Sequence, residues 1–278
     1  MSEQLITPEL RKWIVEQAEA GHSAEAVLDA MMVSGWDEDV ALSAMDEVMS
    51  GRVAQLDAVR AKRLPDLSVG GAPEVWAHDK HVKVAVQVQH PRVVVFADLL
   101  SPEECVALIA QAEPRLSRSQ TVVNATGASE VNEARTSQGM FFGRGESELC
   151  LRIESRISAL LNWPVENGEG IQVLRYAPGA EYKPHYDYFD PTQSGTPTIL
   201  KRGGQRVGTL VMYLNTPEAG GATVFPDAGL DVQAIAGHAV FFAYGQAHPS
   251  TKTLHGGAPV LRGDKWVATK WMREDRFE

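Results

Sequence analysis

The stretch 182-YKPHYDYFD-190 places His185 and Asp187 two residues apart, among four aromatic residues. If this segment is a strand, both side chains point to the same face. An imidazole and a carboxylate on one face can share a metal ion. The spacing alone is a weak signal, because a chain with eight histidines can contain one such pair by chance. The alternative is a surface strand with a solvated acid and a hydrogen-bonded histidine.

Two later histidines, His248 and His255, could complete a metal site. Two imidazoles and one carboxylate on one face of an octahedral ion leave three positions open, which is the arrangement of non-haem Fe(II) oxygenases. A co-substrate with two carboxylates then needs a cation at its far end. Lys265 follows both histidines and could supply that cation, although most lysines are exposed to solvent.

The sequence around this stretch indicates a mainly β domain with flanking helices. From residue 75 apolar residues alternate with polar ones, as in 81-HVKVAVQVQ-89. A helix start follows at Ser101, with an N-cap residue, Pro102 in the first turn and two acids after it. Beyond Gly168 the chain consists of short apolar runs separated by Gly and Pro turns. Many short strands with frequent turns predict a sandwich, a barrel or a jelly roll.

The N-terminal part has a helical pattern. Start signals at Thr7-Pro8, Ser23 and Asp37, with Gly21 and Gly35 between them, predict three short helices. Gly35-Trp36 before the third helix resembles the ubiquitin-associated type of three-helix module; the alternative is an accessory helical domain of another type. We predict a module over residues 1–52, a linker over 53–74 and a second domain over 75–278.

Composition excludes several classes of protein. The formal net charge of −10 argues against non-specific nucleic-acid binding and against a polybasic membrane signal. No apolar run is long enough to span a membrane, and the N-terminus lacks a signal-peptide core. Two cysteines make no disulfide framework, so we expect a reducing, cytoplasmic location.

The second domain resembles the 2-oxoglutarate- and Fe(II)-dependent prolyl 4-hydroxylases over about two thirds of the chain. The matching segments occur in the family's order. They are VVVFADLLSPEECVALI, ARTSQGMFF, Tyr176 with Tyr182 and the His185/Asp187 pair, 206-RVGTLVMYLN-215, 220-GGATVFP-226, 237-GHAVFF-242 and 254-LHGGAPVLRGDKWVATKW-271. The resemblance implies a double-stranded β-helix, also called a jelly roll.

The resemblance also implies roles for individual residues. His185, Asp187 and His255 match the iron ligands; His255 is preferred to His248 because it precedes Lys265 by ten residues, as the distal histidine does in the family. Lys265 matches the residue that binds the distal carboxylate of 2-oxoglutarate.

Four further positions match family residues around the co-substrate and the substrate. Tyr176 and Thr209 match side chains that form hydrogen bonds to 2-oxoglutarate. Tyr182 and Trp271 match aromatic residues that face the substrate, with core packing as the alternative for Trp271.

The implied activity is hydroxylation of proline in a peptide or protein, using Fe(II), 2-oxoglutarate and O2, with ascorbate as reductant, and producing succinate and CO2. An acid at position 187 favours hydroxylation over halogenation, because related halogenases have a small residue there. Two alternatives remain: a hydroxylase of a free amino acid or another small molecule, and a β-helix that has become a binding module. The helical module would bind a protein partner. Loops at 117–139 and 190–204 could cover the site.

Overall fold

A computed structural model describes residues 4–61, 64–65, 72–122, 129–131 and 135–278 of the chain. The contacts divide the chain into two compact units, with the boundary between Lys62 and Arg63. In the part of the chain that the structure describes, no helix combines the length and the apolar character needed to cross a membrane.

The first unit contains the three predicted helices. They are α1 (Pro8–Glu19), α2 (Ala24–Val33) and α3 (Glu38–Ala61). The hydroxyls of Thr7 and Ser23 accept hydrogen bonds from the backbone N–H groups of Leu10 and Ala26, as expected of N-cap residues. A small apolar core joins the three helices; its fully buried members are Ile14, Val27, Met31, Ala41, Ala44 and Val48.

The third helix is longer than predicted. It continues through Gly51 to Ala61, so the predicted module boundary at residue 52 falls inside the helix, and residues 53–61 are helix rather than linker. A glycine inside a helix costs only about 1 kcal/mol relative to alanine, and the sequence offers no proline until Pro65. Residues 62–63 and 66–71 of the predicted linker lie outside the described residues.

Among the described residues, the second unit contains strands and three α-helices. Its helices are α4 (Pro102–Ala112), α5 (Glu148–Leu161) and α6 (Thr196–Leu200). Its strands are β1 (Glu74–Ala77), β2 (Lys80–Val88), β3 (Arg92–Ala97), β4 (Ser117–Arg118), β5 (Gln120–Val122), β6 (Ser129–Val131), β7 (Gln138–Phe142), β8 (Ile171–Tyr176), β9 (Tyr182–His185), β10 (Arg206–Tyr213), β11 (Ala219–Gly220), β12 (Thr223–Phe225), β13 (Leu230–Val232), β14 (Ala239–Ala243), β15 (His255–Gly257), β16 (Val260–Arg262) and β17 (Lys265–Arg273).

Two sheets form the body of this unit. Within the described residues, the large sheet has nine antiparallel strands in the order β1-β2-β3-β14-β10-β17-β8-β7-β4, and the small sheet has the order β13-β12-β15-β9. One apolar cluster contains residues of the large sheet and of α4 and α5, among them Phe96, Cys105, Leu108, Ile153, Leu210 and Ala268. A second cluster joins the other face of the large sheet to the small sheet. The architecture is the predicted jelly roll with flanking helices.

Strand β17 is buried along its whole length, and a buried ion pair ties it to α5. The ammonium of Lys270 lies 2.5 Å from a carboxylate oxygen of Glu154, and both side chains are almost fully buried. The backbone N–H of Gly145 donates to the other oxygen of Glu154 at 2.8 Å. Removing one member of such a pair leaves a buried charge and typically costs about 3–5 kcal/mol. The pair therefore fixes the position of β17, the strand that carries Lys265 and Trp271, relative to α5.

The two segments predicted as lids contain regular structure. The first, 117–139, includes β4, the hairpin of β5 and β6, and the start of β7; its residues 123–128 and 132–134 lie outside the described residues. The second, 190–204, includes α6, and the side chain of Asp190 accepts hydrogen bonds from the backbone and hydroxyl of Thr192. Their movement over the site stays a prediction.

Candidate metal and co-substrate site

The structure brings His185, Asp187 and His255 together. His185 ends β9 and His255 begins β15, and the two residues are direct partners in the antiparallel register. One carboxylate oxygen of Asp187 lies 3.5 Å from Nε2 of His185, and the other lies 3.5 Å from Nε2 of His255. Asp187 does not lie on the strand as predicted, because β9 ends at His185. The chain bends there and turns the carboxylate toward both imidazoles.

Backbone carbonyls select the tautomer of both histidines. Nδ1 of His185 lies 2.9 Å from the carbonyl oxygen of Lys183, and Nδ1 of His255 lies 3.0 Å from that of Thr253. A carbonyl only accepts, so each Nδ1 carries a proton and each Nε2 presents a lone pair. Burial, with a smaller repulsion from His185, lowers the pKa of His255 to about 4. The imidazole is therefore neutral at pH 7, which is the form that binds metal.

The carboxylate of Asp187 is held by two donors. The hydroxyl of Thr209 donates to Oδ2 at 2.7 Å, and the indole N–H of Trp271 donates to the same oxygen at 3.0 Å. Burial by itself raises the pKa of Asp187, but His255 and His185 outweigh it and hold that pKa well below its usual range. Asp187 is therefore an anion, and Thr209 and Trp271 fix the orientation of its Oδ2.

This donor set fits Fe(II). The three ligand atoms lie within 4.8 Å of one another, and two neutral imidazoles with one carboxylate make a facial triad. The bound ion would keep one net positive charge, which attracts an anionic co-substrate to its open positions. When bound, iron supplies the activation of O2; the residues around it bind and orient.

His248 lies outside the triad. It precedes the short 3-10 helix Pro249–Thr251, and its Nδ1 bonds to Ser250, at 2.9 Å from the hydroxyl and 3.1 Å from the backbone nitrogen. The choice of His255, made from the spacing to Lys265, agrees with the geometry.

Lys265 lines the same pocket as the triad. Its side chain is 4% exposed, and its ammonium lies 5.5 Å from the ring centre of Tyr176 and 5.9 Å from that of Tyr213. Among the described residues no carboxylate pairs with it. Burial lowers the pKa of Lys265 to about 8. A buried cation without an anion is costly, so the pocket favours a ligand that brings a carboxylate.

Thr209 has a different set of contacts from the one that the resemblance implies. Its proton goes to Asp187, and its oxygen lies 2.9 Å from the hydroxyl of Tyr244. Its bond to 2-oxoglutarate stays a prediction that these contacts do not favour. Thr223, within the segment GGATVFP, lines the pocket and was missed. The sequence could have indicated Thr223, because its hydroxyl lies in a segment that matches the family and is a possible donor to a carboxylate.

The two predicted substrate residues lie around the metal ligands. The ring of Tyr182 stacks on His185, with 3.7 Å between ring centres, and the guanidinium of Arg135 lies 4.9 Å from the ring centre of Tyr182. Trp271 lines the pocket and also holds Asp187, so it combines packing with a role in the site.

Arg206 was missed by sequence reasoning. Its guanidinium lies 4.1 Å from the ring centre of Trp271 and bonds to Glu169 through two nitrogens, at 2.7 and 3.0 Å. Glu169 also accepts from Arg273 at 2.7 Å. This buried cluster supports the ring that holds the metal carboxylate. Its members are far apart in the sequence, so no local motif predicts it.

We expect His255→Ala to abolish Fe(II) binding, because the triad would lose one of its three ligands, whereas His248→Ala should leave binding within about twofold of the parent protein. Anaerobic titration of each variant with Fe(II), followed by tryptophan fluorescence, measures this. The matched variant His248→Ala is the control, and loss of binding in that variant instead would reverse the assignment.

Comparison with known proteins identifies the family to which this chain belongs. Residues 171–273 match the model of the 2OG-Fe(II) oxygenase superfamily. Prolyl 4-hydroxylase 1 of Arabidopsis thaliana is 44% identical over 226 residues, which is 72% of this chain and 77% of that protein. Prolyl 4-hydroxylase 5 of the same plant is 40% identical over 209 residues, 68% of this chain and 70% of that protein.

A solved structure shows the same fold. The 2OG complex of the viral collagen prolyl hydroxylase from Paramecium Bursaria Chlorella virus-1 superposes with a TM-score of 0.51 at 31% identity, covering 65% of this chain and 95% of that one. With a facial triad, a buried lysine in the same pocket and these relatives, the chain belongs to the prolyl 4-hydroxylase family of 2-oxoglutarate- and Fe(II)-dependent dioxygenases.

Proposed function

We propose that this dioxygenase hydroxylates proline residues within a peptide or protein. The observation that carries the proposal is the pairing of the triad His185, Asp187 and His255 with the buried cation of Lys265 in one pocket, in a chain whose relatives are named prolyl 4-hydroxylases. In the overall reaction, one atom of O2 enters the product hydroxyl and the other enters succinate, while 2-oxoglutarate loses CO2.

Three residues of the pocket would form the binding site for the distal end of 2-oxoglutarate. Lys265 would pair with the distal carboxylate of 2-oxoglutarate, and Thr223 could donate a hydrogen bond to it. Tyr176 is paired with Lys265 in the register of β8 and β17, and it lines the pocket at the end where Lys265 lies. Burial of these groups keeps water away and strengthens the ionic contact. These residues bind and orient the co-substrate and are not themselves chemically altered by the reaction.

An apolar surface continues beyond the pocket and favours a peptide over a free amino acid. Phe141, on β7, exposes 51% of its surface, and its ring centre lies 6.4 Å from that of Trp271. Aromatic faces bind proline rings by apolar contact. Phe141 therefore offers an aromatic face to residues that neighbour the target proline in a longer chain, a contact that a free amino acid would not make.

The cytoplasmic location predicted from the cysteine content stays a prediction, although Cys105 and Cys150 are both free and buried.

We also propose that the N-terminal helical module binds a protein partner with a basic, apolar surface. On α3, Leu42, Met45 and Met49 recur at spacings of three and four residues, which places them on one face. Leu42 and Met49 are 47% and 45% exposed. Glu38 and Asp46 lie on the same side of the helix, and both are exposed.

The charge of the module supports a basic partner. Residues 4–49 contain ten acidic side chains and two basic ones, Arg11 and Lys12. The ion pair of Arg11 with Glu47 uses one of those cations. A second copy of the module would carry the same negative charge and be repelled, whereas a lysine-rich amphipathic helix would match both the charge and the apolar residues.

The first test is succinate formation from 2-oxoglutarate with Fe(II), ascorbate and O2. We expect a proline-rich peptide to stimulate turnover strongly and to gain one oxygen atom on proline, because the site extends beyond one residue. The same peptide with every proline replaced by alanine is the control. Equal stimulation by free proline would favour a small-molecule hydroxylase, and absence of both succinate and Fe(II) binding would favour the binding module.

Affinity for 2-oxoglutarate should fall as the pH rises through about 8, because Lys265 then loses its proton. Below its pKa the residue carries the charge that the distal carboxylate needs, so binding is strongest there. We expect the dissociation constant at about pH 9 to be about tenfold higher than at pH 7. Calorimetric titration of the metal-loaded enzyme measures it.

Two variants at this position separate charge from packing. Lys265→Ala should bind 2-oxoglutarate weakly at every pH while still binding metal. Lys265→Arg should lose the pH dependence, because a guanidinium stays charged. A flat profile for the parent enzyme across this range would remove Lys265 from the site.

Binding of the full chain to an amphipathic helical peptide, with leucines at positions i, i+3, i+4 and i+7 and lysines on the opposite face, tests the partner proposal. We expect Leu42→Asp combined with Met49→Asp to weaken binding by about tenfold or more, and added salt to weaken it for the parent protein, since both apolar and ionic contacts contribute. Val33→Asp is the control, because Val33 is exposed but lies on α2. Fluorescence anisotropy measures the binding, and equal affinity for a glutamate-leucine peptide would contradict the proposal.

A further inference from the structure

Two buried tyrosines each form a hydrogen bond with one threonine of the site. The hydroxyl of Tyr244 lies 2.9 Å from Oγ1 of Thr209, and the hydroxyl of Tyr213 donates to Oγ1 of Thr223 at 2.8 Å. Tyr244 is 2% exposed and Tyr213 is fully buried. Burial raises the pKa of both phenols, so each remains a neutral hydroxyl at any working pH. The two pairs are alike in chemistry but lie beside different groups.

The direction of the first chain of hydrogen bonds follows from Asp187. A carboxylate only accepts, so the single proton of Thr209 is used on Oδ2 of Asp187. The bond between Tyr244 and Thr209 must then use the proton of Tyr244. The chain therefore runs from Tyr244 through Thr209 to Asp187. Because each hydrogen bond polarises the next one, the bond from Tyr244 strengthens the bond from Thr209 to the carboxylate.

The second chain has an open end. Oγ1 of Thr223 accepts the proton of Tyr213, and among the described residues nothing accepts the proton of Thr223 itself. Thr223 lines the pocket together with Lys265, and the ring centre of Tyr213 lies 5.9 Å from the lysine ammonium. The threonine is thus left as a donor into the pocket, beside the cation that would bind the co-substrate.

We propose that Tyr244 and Tyr213 are positioning residues that serve the two halves of the site separately. Tyr244 orients the metal carboxylate through Thr209, and Tyr213 orients Thr223 as a donor to the distal carboxylate of 2-oxoglutarate. The second half rests on the proposed use of that co-substrate. Neither tyrosine touches the reacting atoms.

The exchange of each tyrosine for phenylalanine tests the proposal, because each variant is the matched control for the other. Both changes remove one oxygen from a buried ring and keep its shape. Tyr244→Phe should weaken Co(II) binding by about tenfold, as loss of a group behind a metal ligand commonly does, and change 2-oxoglutarate affinity at saturating metal by less than about twofold. Tyr213→Phe should weaken 2-oxoglutarate binding by about fivefold or more and leave Co(II) binding unchanged.

Two readouts measure these effects without turnover. Co(II) titration followed by tryptophan fluorescence reports on the metal, since Trp271 contacts Asp187 directly, and calorimetry with the Co(II)-loaded protein reports on 2-oxoglutarate. In Thr209→Val combined with Tyr244→Phe, the second change should add less than about twofold, because the chain is already broken at Thr209. Thermal melting separates a purely structural role, which would lower the melting temperature of both variants without selectivity.

Equal effects of both variants on both ligands, or no effect of either, would overturn the proposal. A parent protein that binds Co(II) but not 2-oxoglutarate would refute the role of Tyr213 and the proposed co-substrate together. In that case the selective loss of Co(II) affinity in Tyr244→Phe would still decide the role of Tyr244.

Discussion

The site depends on one buried anion, the carboxylate of Asp187. It lies at van der Waals distance from two imidazoles and accepts hydrogen bonds from Thr209 and Trp271. A buried carboxylate with no cation beside it would be protonated at neutral pH. Here the hydrogen bonds from Thr209 and Trp271 favour the ionised form, and a divalent ion would neutralise it. The surrounding structure is arranged so that this charge persists until metal binds.

The residues behind the carboxylate are themselves buried and charged. Arg206 stacks on the ring of Trp271 and is bonded to Glu169, which also binds Arg273. Such a cluster adds little net stability, because desolvation of the charges offsets much of their attraction. Its contribution is orientation: the indole ring is held between a guanidinium on one side and the carboxylate at its edge. A purely apolar core would pack as tightly, but it would not select one rotation of that ring.

Local sequence predicts some parts of this site better than others. His185 and Asp187 are close in the sequence and are close in space, even though the strand ends between them. The role of Thr209 was harder to predict, since the acceptor for its proton lies 22 residues away and the neighbouring tyrosine 35 residues away. A threonine whose proton is already used resembles, in sequence, one that is free to bind a ligand. The length of α3 was also underestimated. The prediction begins the linker at residue 53, whereas the helix continues to Ala61, and the first proline beyond the helix is Pro65.

The register of β10 and β17 explains why the two halves of the site remain distinct. Thr209 pairs with Trp271 and Tyr213 pairs with Val267, while Lys265 pairs with Tyr176 of β8. Because side chains alternate along a strand, residues 209 and 213 share a face, as do 265, 267 and 271. The metal end and the co-substrate end are therefore opposite ends of one sheet face. A slip of one residue would turn every one of these groups away from the pocket, and a slip of two would carry Lys265 about 7 Å along the strand. Burial of β17 on both faces, together with the pair of Lys270 and Glu154, opposes any such slip, so the ion pair outside the pocket helps to set the distance between the cation and the metal ligands inside it.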